Sequence, residues 1–230
     1  MKIISNEKLI KRNRKIGQIT TFASLAILAA GLVASFSQNY FNLSFAALLL
    51  GFVLSQVGIY FGSRWGRSPR PDEKLSQALK GLDDKYFLYH YKTSVPHLLV
   101  GPAGIWILMP YPQGGTIYYD TNKDRWKQKG GSLYLKIFAQ EGLGRPDLEA
   151  QSYELETQKY LRRFLGNNIE LPPIQPILVF TNEKTVVQSE NAPMHALNVT
   201  KLKDFIRHQA KANPAPMDSI KIIQQALPTE

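Results

Sequence analysis

The residues that would have to do chemistry in this sequence stand at the end of one apolar run. In "VGPAGIWILMPYPQGG" (Val100–Gly115) a tight Gly-Pro turn precedes the strand-like "GIWILMP". Strands of this kind often end in carboxylates and a lysine that hold a metal ion. Here the end reads Met109, Pro110, Tyr111. The remaining candidates are sparse. There are no cysteines, which excludes disulfides, thiolate metal sites and a cysteine nucleophile. The four histidines, His90, His97, His195 and His208, are not at metal-ligand spacing. A hydrogen-bonded strand histidine is the simpler account of His97. "GGTIYYD" and "KGGS" lack the spacing and the lysine of a phosphate cradle and read as turns.

One segment has the composition of a nucleic-acid contact. "NKDRWKQK" places Lys123, Arg125, Lys127 and Lys129 around Trp126, and cations interleaved with an aromatic ring can grip a phosphate backbone and stack on a base. An exposed hairpin with Trp126 packed on a sheet accounts for the same residues more simply. A basic loop facing anionic lipid is a third option.

The elements that must position these residues divide the chain in two. Of its 230 residues, 28 are Lys or Arg and 18 Asp or Glu, a net charge of +10. Nine of the cations and one acid, Glu7, lie in residues 1–70, a net of +8. The remainder carries only +2, so the basicity flanks an apolar region more than it marks a nucleic-acid surface. From Ile16 to Ser63 no residue is charged. Two stretches of 21 residues, Ile16–Phe36 and Phe41–Phe61, are joined by the short polar "SQNY". At about 1.5 Å per residue each reaches roughly 30 Å, the hydrocarbon thickness of a bilayer. This predicts a transmembrane helical hairpin over 16–63. A signal peptide leaves the second span unexplained, interfacial helices need charged faces, and a buried soluble hairpin needs more surrounding protein than the chain supplies. "KLIKRNRK" before the first span and "RWGRSPR" after the second place both termini in the cytoplasm of a multi-pass cell-membrane protein. Gly51, Gly58 and neighbouring small residues permit close helix contact, within the hairpin or in a homo-oligomer.

The expected organisation is thus a basic cytoplasmic N-terminus (1–15), the hairpin (16–63), a linker (64–71) and a cytoplasmic domain (72–230). Leu75, Ala78, Leu79 and Leu82 predict a first amphipathic helix. Strand-like runs follow at Lys85–Lys92, Pro96–Gly101, Gly104–Pro110 and Gly115–Asp120, with "SLYLKIF" as one more. A long helix runs from Pro146 to its stop at Gly166. A buried strand at Ile177–Phe180, a helix capped by Thr200 and a last helix at "MDSIKIIQQAL" complete the domain. The class is α+β, with helices on a mixed sheet.

From about Asp72 to Gln209 the order and motifs resemble the nuclease-related domain (NERD) family, bacterial and archaeal proteins with a restriction-endonuclease-like fold. "HLLVGPAGIWIL" and "PILVFTN" carry most of the resemblance; "DEKLSQALKGLDDKYFLYH", "GRPDLEAQ" and "ALNVTKLKDFI" fall in the right order around them. The resemblance implies a Mg²⁺-dependent nuclease site built from two acids and a lysine. Those positions fall here on Pro96, Met109 and Tyr111. The family's helix Glu falls on Glu73, and its helix Gln on Glu149. The site is therefore expected to be degenerate, with Glu73 and Glu149 as surviving outer carboxylates and with no catalytic residue, metal or cofactor. Two functions follow: a membrane-anchored binding or scaffold module with a weak nucleic-acid or protein partner, or a membrane-tethered Mg²⁺-dependent nuclease whose ligands have migrated.

Overall fold

The computed structural model describes residues 1–131, 142–166 and 169–229. They form two compact units, Glu7–Arg70 and a second that combines Met1–Asn6 with Pro71–Glu230.

The first unit is a helical hairpin. Helix α1 spans Glu7–Ala34 and α2 spans Phe41–Phe61, with a 3-10 turn at Gln38–Tyr40 between them. Helix α1 begins nine residues before the expected span, because nothing between Glu7 and Lys15 breaks a helix and Lys, Arg and Leu favour one. Both helices are long and apolar enough to cross a membrane, and only 17% of the most apolar stretch of each is buried by protein. What is buried is small: Gly17, Ser24 and Gly31 of α1 against Ser44, Gly51 and Gly58 of α2. A Cβ on Gly51 would stand 2.6 Å from Leu28 Cγ, and one on Gly58 2.6 Å from Thr21 Oγ1. Ser44 Oγ donates to the Gly31 carbonyl at 2.7 Å. These glycines therefore serve contact within the hairpin, while Phe22, Leu25, Leu32, Phe45 and Phe52 point outward.

The second unit is mixed α+β. Strands β1 (Lys2–Ser5), β2 (Phe87–His90), β3 (His97–Gly101), β4 (Gly104–Tyr111), β7 (Ile174–Phe180) and β9 (His195–Asn198) form one sheet in the order β1-β2-β3-β4-β7-β9. The meander β2-β3-β4 is antiparallel; β1 joins β2 in parallel, β7 joins β4 in parallel and β9 joins β7 in parallel. A smaller sheet holds β5 (Thr116–Asp120) between β6 (Arg125–Lys129) and β8 (Val186–Gln188). Helices are α3 (Pro71–Ala78), α4 (Pro146–Leu165), α5 (Leu202–Ala212) and α6 (Met217–Ala226).

Strand β4 is apolar on both faces because both are covered. Ile105, Ile107 and Met109 join a core with Ala150 and Leu161 of α4 and Ile220 and Ile223 of α6. Trp106 and Leu108 join the opposite core with Leu75 of α3, Leu79 just after that helix, and Leu202 and Ile206 of α5. The period of two sorts the residues, and helices on either side hold each set away from water.

Three differences from expectation matter. The basic N-terminus is divided between two elements: Ile3 and Ile4 pair with Leu88 and Tyr89 in the sheet, and Glu7–Lys15 belongs to α1. Strands β8 and β9 were not foreseen. Asn198, not Thr200, caps the turn before α5, its Oδ1 accepting from Thr200 N–H at 3.1 Å. The strand expected at Ser132–Phe138 lies outside the described residues.

Candidate functional site

The parallel pair β4–β7 brings two strand ends together. Tyr111 is in register with Phe180, and Thr181 N–H donates to the Tyr111 carbonyl at 2.8 Å. Helix α4 starts at Pro146, so Glu149 lies in its first turn. The Tyr111 hydroxyl donates to Glu149 Oε2 at 2.6 Å, the short distance of a charge-assisted bond. Burial pushes the Tyr111 phenol well above its usual range, and the bond to Glu149 pushes it the same way. Its ring centroid lies 5.9 Å from that of Phe180. Two residues earlier, Met109 is 2% exposed within the apolar core. Pro96 lies in the β2–β3 connection, where its carbonyl accepts from Tyr91 N–H at 2.8 Å. Glu73 is on α3, whose neighbouring Lys74 reaches the Thr181 carbonyl at 3.4 Å.

These residues do not fit Mg²⁺, which takes hard oxygen donors in near-octahedral array. Met109 offers a thioether inside an apolar cluster, Pro96 has no side-chain donor, and the Tyr111 oxygen is a neutral phenol engaged with Glu149. Glu73 and Glu149 come from helices packed on opposite faces of the sheet. Among the described residues no group of three or more His, Asp or Glu side chains converges on a common point.

A polar cluster that the spacing did not reveal lies beside this end. His90 and His97 are partners in the antiparallel β2–β3 register, and their Nδ1 atoms are 2.8 Å apart. Ser76 Oγ of α3 is 2.9 Å from His90 Nε2. The histidines are 1% and 2% exposed. A contact between two Nδ1 atoms needs one donor and one acceptor, so the pair cannot be doubly protonated and keep it. Burial, and then the neighbouring His90, hold His97 well below the ordinary histidine range. The sequence signal for the pair is two histidines seven residues apart, at the end of one strand and the start of the next, which an antiparallel β2–β3 register sets side by side.

The basic segment forms the β5–β6 hairpin, and its most specific candidate is withdrawn from solvent. Trp126 is 3% exposed, edge-on to Tyr119 at 5.5 Å, so it is not presented for stacking on a base. Lys127 is ion-paired with Asp120. Lys123, Arg125 and Lys129 are exposed. The hairpin thus offers charge without a stacking platform.

No family model matches the chain, and no curated protein or solved structure matches it.

Proposed function

We propose that this chain is a membrane-anchored NERD-like domain that has lost nuclease catalysis and acts at the cytoplasmic face as a binding or scaffold module. The observation that carries the proposal is the Tyr111–Glu149 hydrogen bond beside the buried Met109. The position matched to the family's lysine carries a phenol that occupies the nearby carboxylate, and the position matched to an acid lies in the core. Loss of the groups that stabilise charge at such a centre removes several powers of ten in rate. The succession α3, β2-β3-β4, α4, β7, interrupted by the β5–β6 hairpin before α4 and with β7 parallel to β4, supports the restriction-endonuclease-like comparison.

The anchoring half of the proposal rests on the two apolar helices and on connectivity. Strand β1 before the hairpin and α3 after it belong to the same folded unit. A chain that leaves and re-enters one unit must cross a bilayer an even number of times, which suits two spans. The basic flanks favour the cytoplasm for that unit. A nucleic-acid partner would be held by Lys123, Arg125 and Lys129, hence weakly and with strong salt dependence.

The test is a cleavage assay of the full chain in nanodiscs, on single- and double-stranded DNA and RNA, with Mg²⁺ or Mn²⁺, alongside calorimetric titration of both ions. Neither cleavage nor metal binding is expected. Cleavage that disappears in Glu149→Ala or Glu73→Ala would establish the migrated-ligand nuclease instead.

A further inference from the structure

The cations at the base of the hairpin are arranged as a collar. On α1, Lys8, Lys11, Arg12 and Lys15 recur at i, i+3, i+4 and i+7, and all four are exposed. The opposite face, Ile10, Asn13 and Gly17, is buried. The apolar span begins at Ile16, so Lys15 to Lys11 rise about 1.5 to 7.5 Å beyond it along the helix axis. A headgroup layer is roughly 5 to 7.5 Å deep on each side of the hydrocarbon. Lys11, Arg12, Arg14 and Lys15 thus fall within one headgroup layer, with Lys8 just above it.

The other limb supplies matching groups at the same level. A Cβ on Gly17 would stand 3.0 Å from Phe61 Cβ, which sets the root of α1 against the end of α2. There Arg64 lies 4.5 Å from the centre of the Tyr60 ring and donates to the Tyr60 hydroxyl at 2.8 Å. Trp65 packs beside Phe61 at 5.3 Å and Tyr60 at 6.2 Å. Tyr and Trp at this depth are the usual interfacial aromatics. Glu7, four residues before Lys11, is the one acid in residues 1–71, so the cations of the collar outnumber it.

We infer that this collar binds the headgroups of anionic phospholipids, selecting them over zwitterionic ones. A solvated basic helix face would need no aromatic counterpart on the second helix. The inference rests on the spanning hairpin proposed above. Each Lys or Arg near an anionic surface contributes about 1 kcal/mol, which is about fivefold in affinity.

The test reconstitutes the full chain in phosphatidylcholine vesicles containing trace spin-labelled phosphatidylglycerol or phosphatidylcholine. Electron paramagnetic resonance then reads the motionally restricted fraction of each. Phosphatidylglycerol should be preferred by about fivefold or more, with the preference falling toward parity in about 1 M salt, where the screening length is about 3 Å. Lys11→Gln, Arg12→Gln, Arg14→Gln and Lys15→Gln together should reduce the preference severalfold, leaving only what Lys8 and Arg64 supply, with the restricted phosphatidylcholine fraction unchanged, since Gln supports a helix about as well as Lys. Equal restriction of both lipids by the unmodified chain overturns the collar and leaves the hairpin standing. A preference undiminished in the fourfold variant overturns the residue assignment. A restricted fraction for neither lipid sinks the spanning hairpin and the collar together.

Discussion

Met109→Glu tests the reasoning about the strand end most directly, because it restores the acid that the resemblance expects. Met109 is 2% exposed in a core cluster that includes Ile105, Ile107 and Leu178. Removing the buried thioether side chain forfeits about 1.5–3 kcal/mol of transfer free energy. A carboxyl group buried without a partner costs about 1–3 kcal/mol more, even when it stays protonated. The sum, roughly 2.5–6 kcal/mol, is a large share of the 5–15 kcal/mol by which a domain is usually stable. The volume-conserving Met109→Leu should cost less than about 1.5 kcal/mol. The assay is guanidinium unfolding of the full chain in detergent, followed by tryptophan fluorescence. Trp106 and Trp126, 1% and 3% exposed, report on the folded core. The same titration is repeated in millimolar Mg²⁺. Met109→Glu should unfold at much lower denaturant in both series. A loss under about 1 kcal/mol would mean that the side chain at this position reaches water. Recovery of stability by Mg²⁺ would mean that a metal centre can still assemble here, against the function proposed above.

Acid should weaken the domain. His97 has a folded pKa well below its ordinary 6.5, so the unfolded chain takes up the proton that the folded chain refuses. Stability should be level above about pH 6.5 and fall by up to about 1.4 kcal/mol per pH unit below it, and His97→Gln should flatten that slope in denaturation midpoints measured from neutral to mildly acidic pH. In the hairpin, Gly51→Val places a side chain where a Cβ already comes within 2.6 Å of Leu28 Cγ, so its thermal midpoint in detergent should drop by the equivalent of about 1–3 kcal/mol. The outward Ala29→Val should leave the midpoint unchanged. The cysteine-free chain also permits a topology test with Gln38→Cys or Lys211→Cys, both exposed positions. An impermeant thiol reagent added to intact cells should label the first and spare the second; the reverse pattern would invert the proposed orientation.

The sequence by itself determined what local physics controls. A long uncharged run specifies two helices of membrane-spanning length. The unbroken apolar run in "GIWILMP" specifies a strand buried on both faces, because neither set of alternate residues tolerates water. Pro146 and Gly166 bound α4, the first tolerated where its missing N–H costs nothing and the second at φ 70°, in the left-handed region. The types at Pro96, Met109 and Tyr111 already argued against a metal centre, since donor chemistry belongs to the side chain. Tertiary structure decided the pairings. "KIIS" is four residues beside a basic run, and its partner Phe87–His90 lies about eighty residues away, so no local signal marks β1. The His90–His97 contact depends on the β2–β3 register, and a one-residue slip of either strand would put the two rings on opposite faces of the sheet. The sequence favoured Trp126 packed on a sheet over stacking on a base, and the packing of the hairpin fixed Tyr119 as its partner. Glu149 became the partner of Tyr111 because α4 starts above the end of β4, a placement set by the parallel β4–β7 pairing and the apolar face that α4 buries. Composition and period act on neighbours in the chain, whereas register and docking act between segments that only the folded backbone brings together.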